Sequence, residues 1–191
     1  MSDLLVDIGC AAIGGAIAFG LLLHLRKRHD GGIERRSRPA ALRDAELVHI
    51  ETTFRTTSPV PIAAKLDRAY RLPSGQLVLV ELKTRWNGAP NFSDVIQLSA
   101  QRVALSAATG KTVASEAFVL IARPGVPWSP VVHRIDLLSA DQVVALVRRR
   151  EAILADRISP RYTEEVGHCR GCAFRNQCDG AGRPRRSSAE R

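Results

Sequence analysis

The chain has 191 residues, of which 45% are hydrophobic and 25% are charged; this length admits one domain of ordinary size with an appendage, and the composition is that of a globular protein with a buried core. Lys and Arg total 28 against 19 Asp and Glu, so the formal net charge is +9, which favours a polyanionic partner such as nucleic acid or an anionic membrane surface. The uneven spacing of the four cysteines excludes the disulfide framework of a small secreted domain.

The first predicted element is an apolar helix near the N-terminus. Residues 4–25 read LLVDIGCAAIGGAIAFGLLLHL, and a helix of this length would reach about 33 Å, enough for a hydrocarbon core of about 30 Å. The basic stretch that follows predicts that the chain after it lies in the cytoplasm. We therefore expect residues 1–25 to form a single-pass anchor in the inner (cytoplasmic) membrane, with a buried N-terminal helix of the domain as the alternative.

Three further regions follow the apolar helix. Residues 26–40 are polar and basic, contain Gly31 and Gly32, and end near Pro39, which is typical of a linker. Residues 41–180 are expected to form the globular domain. Residues 181–191 are rich in Arg and Ser and are expected to be disordered.

The globular region begins with a short helix and three predicted strands. PAALRDAELVHIETTF indicates a helix that runs into a strand, PIAAKLDRAYRL a second strand, PSG a turn and QLVLVELKT a third strand. SDVIQLSAQRVALSAATG predicts a helix with Ser93 as N-cap and Gly110 as its end.

The second half of the domain continues with two strands and a helix. SEAFVLIAR and VVHRIDL predict the strands, and SADQVVALVRRREAILADR predicts a helix that opens with a capping box between Ser139 and Gln142. The order is helix, three strands, helix, two strands and helix. This order predicts an α/β fold.

An acidic hairpin lies at the centre of this pattern. If the turn is centred on Ser74, residues whose numbers sum to 148 face each other, so Asp67 lies opposite Glu81, and Lys65 opposite Lys83. Since side chains alternate along a strand, Asp67, Glu81 and Lys83 share one face. Two opposed carboxylates repel by several tenths of a kcal/mol unless a cation such as Mg²⁺ lies between them. The alternative is a strand end with ordinary surface charges.

The remaining candidate site is a cysteine cluster near the C-terminus. HCRGCAFRNQC contains Cys169, Cys172 and Cys178, a spacing that indicates a metal or cluster site in a reducing compartment. The fourth ligand stays open between Cys10, which the membrane helix would hold away from the domain, and His168, whose neighbour Cys169 already binds.

The acid before the hairpin, the E-x-K at its end and the helix that follows resemble the PD-(D/E)XK nuclease superfamily. Within that superfamily they resemble the RecB-like nucleases, which include the small CRISPR-associated members, over most of residues 42–178. The resemblance implies a restriction-endonuclease-like core, that is, a mixed central sheet flanked by helices. It implies that Asp67, Glu81 and the carbonyl of Leu82 bind Mg²⁺ or Mn²⁺ and that Lys83 is the catalytic lysine. Leu66 stands where the family has proline.

The RecB-like branch also carries Q-x-x-x-Y on the helix after the E-x-K strand. Here Gln97 matches the glutamine, and Gln101 stands where tyrosine is usual. Both lie on one helical face and could reach the site or the DNA backbone. His49 matches the family's metal-assisting histidine loosely, and Glu51 competes for that role.

The same branch uses three C-terminal cysteines and one distant N-terminal cysteine to hold an iron–sulfur cluster. By this resemblance Cys169, Cys172 and Cys178 would bind a 4Fe-4S cluster together with Cys10. A Zn²⁺ site completed by His168 is the alternative.

The expected function is a membrane-anchored, divalent-metal-dependent DNA nuclease. Arg85, Gln101, Arg102 and the run Arg148–Arg150 are the candidate contacts to DNA phosphates. Two alternatives remain: a catalytically inactive DNA-binding or assembly module that retains the fold, and a membrane-bound metalloprotein without a nucleic-acid role.

Overall fold

A computed structural model describes residues 34–35, 37–161, 163, 169, 172–175 and 178. The chain divides between Ala145 and Leu146 into two compact units. The sheet and the candidate site lie in the first unit.

The elements follow the order predicted from the sequence. A 3-10 helix, Ala40–Leu42, precedes the strands. The strands are β1 Glu46–Thr56, β2 Ile62–Arg71, β3 Leu77–Thr84, β4 Val113–Ala122 and β5 Val131–Asp136. The helices are α1 Phe92–Thr109, between β3 and β4, and α2 Ala140–Leu154, after β5.

The five strands form one mixed sheet in the order β1-β2-β3-β4-β5. Three of its pairings are antiparallel, and the pair β3–β4 is parallel. A parallel pair needs a crossover connection, which α1 supplies. The mixed α/β sheet predicted from the sequence is therefore confirmed.

Strand β3 is buried on both faces of the sheet. Leu77 and Leu79 belong to a core cluster that includes Leu98 and Leu105 of α1, whereas Val78 and Val80 belong to a second cluster on the opposite face. This double burial explains the unbroken apolar run LVLV, since a strand covered on both sides has no need of alternation. The strand that carries the candidate acid is thus fixed from both sides.

The predicted register of the β2–β3 hairpin is correct where the strands pair. The partners run from Arg71 opposite Leu77 to Arg68 opposite Val80, so the residue numbers of each pair sum to 148, as predicted. The ladder ends at Arg68. The pairing of Asp67 with Glu81 expected from the sequence is therefore not part of the backbone ladder.

The start of α1 differs from the prediction. The N-cap is Asn91, not Ser93, and the Asp94 carboxylate accepts a hydrogen bond from the Asn91 N–H at 2.7 Å. Ser93 lies inside the helix and is exposed. The predicted end at Gly110 is confirmed, with a left-handed φ of 67° that glycine adopts without strain.

The capping box at the start of α2 is also confirmed. The Ser139 N–H donates to Gln142 Oε1 at 2.8 Å, and the Gln142 N–H donates to Ser139 Oγ at 3.2 Å.

A buried polar network ties the segment before the 3-10 helix to β2. The Glu34 carboxylate accepts hydrogen bonds from the Tyr70 hydroxyl at 2.6 Å and from Arg38 Nε at 2.8 Å, and Arg68 donates to Ser37 Oγ at 2.9 Å. Burial, followed by the contact with Glu34, raises the pKa of Tyr70 to about 12.

The burial of Glu34 and its hydrogen bonds act on its pKa in opposite directions. Burial alone would raise this pKa, but the hydrogen bonds from Arg38 and Tyr70, together with the charges of Arg38 and Arg68, lower it below its ordinary value.

No helix among the described residues is long and apolar enough to cross a membrane. The predicted anchor at residues 1–25 and the predicted tail at residues 181–191 lie outside the described residues.

Candidate functional site

Glu81 is a buried carboxylate with three bound donors. It lies on the α1 face of β3, as Leu79 does, and is 3% exposed. Gln97 Nε2 donates to its Oε1 at 2.6 Å and Gln101 Nε2 to its Oε2 at 3.0 Å, while Lys83 Nζ lies 2.8 Å from Oε1. These donors offset the cost of burying the charge and fix the orientation of the carboxylate.

Gln97 joins the acid of E-x-K to its lysine. The Lys83 Nζ donates to Gln97 Oε1 at 2.8 Å, and the amide nitrogen of the same glutamine donates to Glu81. The lysine side chain is 25% exposed, so its ammonium can also meet a molecule that approaches from solvent. The resemblance predicted that Gln97 could reach the site or the DNA backbone, and the structure brings it together with Glu81 and Lys83.

Asp67 lies beside them, at the point where the β2–β3 ladder ends. Its Oδ2 accepts a hydrogen bond from the Leu82 N–H at 2.8 Å, so the carboxylate occupies the place of a backbone acceptor. The N–H and C=O of one strand residue point to the same side. We therefore expect the Leu82 carbonyl to face Asp67 as well.

The pKa of Asp67 lies above its ordinary value. Burial is the largest cause; the Leu82 hydrogen bond opposes it, and the charges of Glu81 and Glu51 add to it. The negative charges of Glu81 and Glu51 are therefore both close enough to act on Asp67.

Glu51, not His49, lies level with Asp67 on β1. Asp67 falls between Arg68, which pairs with Ile50, and Leu66, which pairs with Thr52. Glu51 has a φ of 47°, which is uncommon for a residue with a side chain. Its carboxylate forms an ion pair with Lys65.

The structure places His49 in an apolar contact. The imidazole packs edge-on against the Phe54 ring, with the centroids 5.0 Å apart, and it lies opposite Ala69. Burial, with a smaller contribution from Lys111, lowers its pKa. The sequence left His49 and Glu51 as alternatives for the metal-assisting role. The strand register favours Glu51 as the neighbour of Asp67.

The residues expected to contact DNA have partners inside the protein. Gln101 is 2% exposed and donates to the Lys65 carbonyl as well as to Glu81, so it reaches the carboxylates and its burial leaves no surface for DNA. Arg102 donates to the carbonyls of Val113 and Leu138 at 3.4 and 3.3 Å. The sequence offered no signal that Gln101 would be buried or that Arg102, which is half-buried, would bind backbone carbonyls.

Arg85 binds the start of α1. Its guanidinium donates to Asp94 at 2.7 and 3.2 Å and to the carbonyls of Asn87 and Ala89. The run Arg148–Arg150 belongs to α2 in the second unit, where Arg148 and Arg150 are exposed.

Cys169, Cys172 and Cys178 are described and form no disulfide. The Cys172 N–H donates to the Cys169 carbonyl at 3.4 Å. The other two predicted ligands, Cys10 and His168, lie outside the described residues.

In the part of the chain that the structure describes, no group of three or more His, Cys, Asp and Glu side chains is arranged to hold a metal ion. Asp67 and Glu81 supply two carboxylates, and the Leu82 carbonyl is expected to face Asp67. Mg²⁺ is usually bound through one or two carboxylates and keeps several waters. The oxygen donors at the end of the β2–β3 ladder therefore fit a Mg²⁺ or Mn²⁺ ion.

Solved structures that match the chain include SSO0001, with a TM-score of 0.47 and 20% identity over 84% of this chain and 69% of that one. A protein from Eubacterium rectale named "Putative exonuclease" has a TM-score of 0.46 and 14% identity over 81% of this chain and 61% of its own. The chain thus spans less than two thirds of the second protein. A comparison with curated proteins gave no match.

The comparison with protein families identifies the chain. The family model for the PD-(D/E)XK nuclease superfamily matches residues 19–179, which include Asp67, Glu81 and Lys83. The chain belongs to the PD-(D/E)XK nuclease superfamily.

Proposed function

We propose that the chain is a divalent-metal-dependent DNA nuclease that hydrolyses phosphodiester bonds at Asp67, Glu81 and Lys83. Membership of the superfamily supports a nuclease, that is, a hydrolase, and implies a DNA substrate. The observation that carries the residue assignment is the buried Glu81 carboxylate, bound by Lys83 and Gln97 next to Asp67.

The proposed reaction assigns a separate task to each side chain. Asp67, Glu81 and the Leu82 carbonyl would hold Mg²⁺ or Mn²⁺, and the bound ion would lower the pKa of a water and neutralise charge on the phosphate. The Lys83 ammonium orients the attacking water and stabilises the negative charge that develops on the phosphate. Gln97 keeps the ammonium and the Glu81 carboxylate in a fixed relation.

Cleavage of DNA by the full chain tests this proposal. With Mg²⁺ or Mn²⁺, wild-type protein should cut single- or double-stranded DNA. Lys83→Ala and Asp67→Ala should each lower the rate by about 100- to 10,000-fold. Lys111→Ala is the matched control, since Lys111 is exposed and precedes β4, away from the end of β3 that carries Lys83. Full activity of Lys83→Ala would reject the mechanism.

The second candidate is an inactive DNA-binding or assembly module. It is favoured by Gln101, which stands where the related nucleases have tyrosine and donates to Glu81 Oε2. Salt-dependent DNA binding without cleavage by freshly prepared protein would select it.

We further propose that the chain belongs to the RecB-like branch and binds a 4Fe-4S cluster or Zn²⁺ at Cys169, Cys172 and Cys178. The spacing of the cysteines supports this assignment. An iron–sulfur cluster should give the purified protein a brown colour. With Zn²⁺ the protein should be colourless and contain stoichiometric zinc. Elemental analysis that finds neither iron nor zinc contradicts both versions.

A membrane anchor at residues 1–25 is also proposed, with the nuclease domain in the cytoplasm. It rests on the length of the apolar run and the basic residues that follow it. Fractionation of cells that express the full chain should place it with the inner membrane. Recovery in the soluble fraction without detergent would exclude the anchor.

A further inference from the structure

Both tryptophans of the chain are exposed. Trp86 is 75% exposed and Trp128 is 39% exposed, and the sequence contains two tryptophans in all. A tryptophan left in water forgoes a large gain from burial. Their exposure therefore points to a surface that a partner covers.

The two tryptophans lie on loops at one edge of the sheet. Strands β3 and β4 are parallel, and Thr84 at the end of β3 lies beside Ala122 at the end of β4. The loop of residues 85–91 follows β3, and the loop of residues 123–130 follows β4. The Arg85 N–H donates to the Ala122 carbonyl at 3.0 Å, so both loops leave from the same place.

The candidate site lies at the same edge of the sheet as these two loops. Trp86 follows Lys83 by three residues, so the two Cα atoms are at most about 11 Å apart. Phosphates repeat about every 3.4 Å along one strand of a duplex. A DNA strand with a phosphate at Lys83 therefore has bases within reach of Trp86.

The loop that carries Trp86 is held in place. The Arg85 guanidinium donates to the Asn87 carbonyl at 3.2 Å and to the Ala89 carbonyl at 2.7 Å, and its pairing with Asp94 fastens the loop to α1. A side chain on a fixed loop loses less conformational entropy when it binds.

Arg123 adds an exposed charge to the other loop. It is the first residue after β4 and is exposed. Exposed indole rings next to a basic side chain suit a nucleic-acid strand, since bases stack on aromatic rings while phosphates pair with cations. A duplex cannot offer these base faces, because its bases stack on each other.

We propose that Trp86 and Trp128 form a stacking surface for unpaired bases, which directs single-stranded DNA to the site. The inference rests on the proposed nuclease function and adds a strand preference and two binding residues to it. The Trp86 ring holds a base next to the phosphate at Lys83, and the Trp128 ring holds a further base of the same strand.

Binding without cleavage tests the stacking surface. The full chain is mixed with a single-stranded oligothymidylate in EDTA, and the intrinsic tryptophan fluorescence and the anisotropy of labelled DNA are both measured. Stacking should quench the fluorescence. Trp86→Ala and Trp128→Ala should each weaken binding by about 5- to 150-fold, and Trp86→Phe should restore most of the affinity.

Val126→Ala is the matched control. Val126 is 55% exposed and lies on the same loop as Trp128, so the substitution removes apolar surface without removing an aromatic ring. Its affinity for the oligonucleotide should equal that of the wild type. An oligonucleotide with abasic sites should bind wild type and Trp86→Ala equally, because it has no bases to stack.

Four outcomes overturn the inference. DNA binding seen by anisotropy without fluorescence quenching excludes stacking. Equal losses of affinity in Val126→Ala and Trp128→Ala indicate a general apolar contact. Concentration-dependent self-association with quenching assigns the edge to a second copy of the chain. Failure to bind single-stranded DNA at low salt also overturns it. The binding assay does not depend on cleavage. A protein that shows stacking but fails to cut DNA in the cleavage assay therefore contradicts the proposed nuclease function and not this surface.

Discussion

The Glu81 carboxylate illustrates how side chains distant in sequence define one site. Its donors come from β3 and from two positions on α1. Gln97 and Gln101 are four residues apart, which places them on one helical face. The sequence therefore predicts that they act together, but the packing of α1 on β3 decides that both amides reach the same carboxylate.

Gln97→Ala should slow DNA cleavage by about 10- to 100-fold, because the amide links Glu81, the proposed metal ligand, to the lysine, and residues that orient ligands typically contribute this much. Steady-state cleavage with Mg²⁺ measures the change, and Mg²⁺ titration separates weaker metal binding from slower chemistry.

Gln76→Ala is the control for this substitution, since Gln76 lies in the turn between β2 and β3 and should leave the rate unchanged. Wild-type rates for Gln97→Ala would show that the hydrogen bond to Glu81 has no role in the reaction.

Helix α1 shows why the ends of elements are harder to predict than their existence. Asn91, Ser93 and Asp94 are all common near helix starts, so the sequence allows more than one N-cap. The choice depends on Arg85, which binds Asp94 from the preceding loop. That ion pair favours the register in which Asn91 is the N-cap and the Asp94 carboxylate accepts the Asn91 N–H.

Asp94→Ala should lower the free energy of unfolding by about 2 to 4 kcal/mol, because it removes a cap and leaves the partly buried Arg85 without its carboxylate. Ser93→Ala, at the cap predicted from sequence, should change it by less than about 0.5 kcal/mol. Chemical denaturation of both variants measures the difference. Equal effects of the two substitutions would contradict the cap assignment.

At the scale of the whole molecule, the network around Glu34 fastens the end of the predicted linker, residues 26–40, to β2 through Glu34 and Ser37. This network lies on the sheet face of Tyr70, which belongs to the core cluster opposite α1. Arg68 of the network is adjacent to Asp67. The docked segment therefore supports the strand that carries the candidate metal ligand.

The pKa of Glu34 is lowered in the folded chain, as is that of Asp94, whose burial is outweighed by its hydrogen bonds from Arg85 and Asn91. Folded protein therefore binds fewer protons at these groups than unfolded protein does. Their stabilising contribution is present above the ordinary pKa values of 4.5 and 3.8, and it is lost as the pH falls through the lower folded values.

Glu34→Gln should reduce the free energy of unfolding by about 2 kcal/mol at pH 7, because charged hydrogen bonds are lost. The difference from wild type should shrink as the pH falls below 4.5 and through the lower pKa of folded Glu34. Chemical denaturation across this range measures both. Glu46→Gln, an exposed acid paired with Arg71, is the control, and a difference for Glu34→Gln that is constant with pH would contradict the assignment.

The sequence by itself determined the order of the elements and the hairpin register, which places Asp67, Glu81 and Lys83 on one face; Gln97 came from the resemblance to the nucleases. Periodicity, turn residues and a tight hairpin are local properties, and they restrict these features directly. The resemblance to a nuclease superfamily, which rests on the same short motif, agrees with the family match.

Only the tertiary structure decided which polar side chains are enclosed and which face solvent. It buries Gln101 against Glu81, places Glu51 rather than His49 level with Asp67, and leaves both tryptophans exposed at one edge. These outcomes depend on how α1 packs on the sheet and on where the ladders of neighbouring strands end. Such contacts join residues far apart in the chain, and no local pattern in the sequence specifies them.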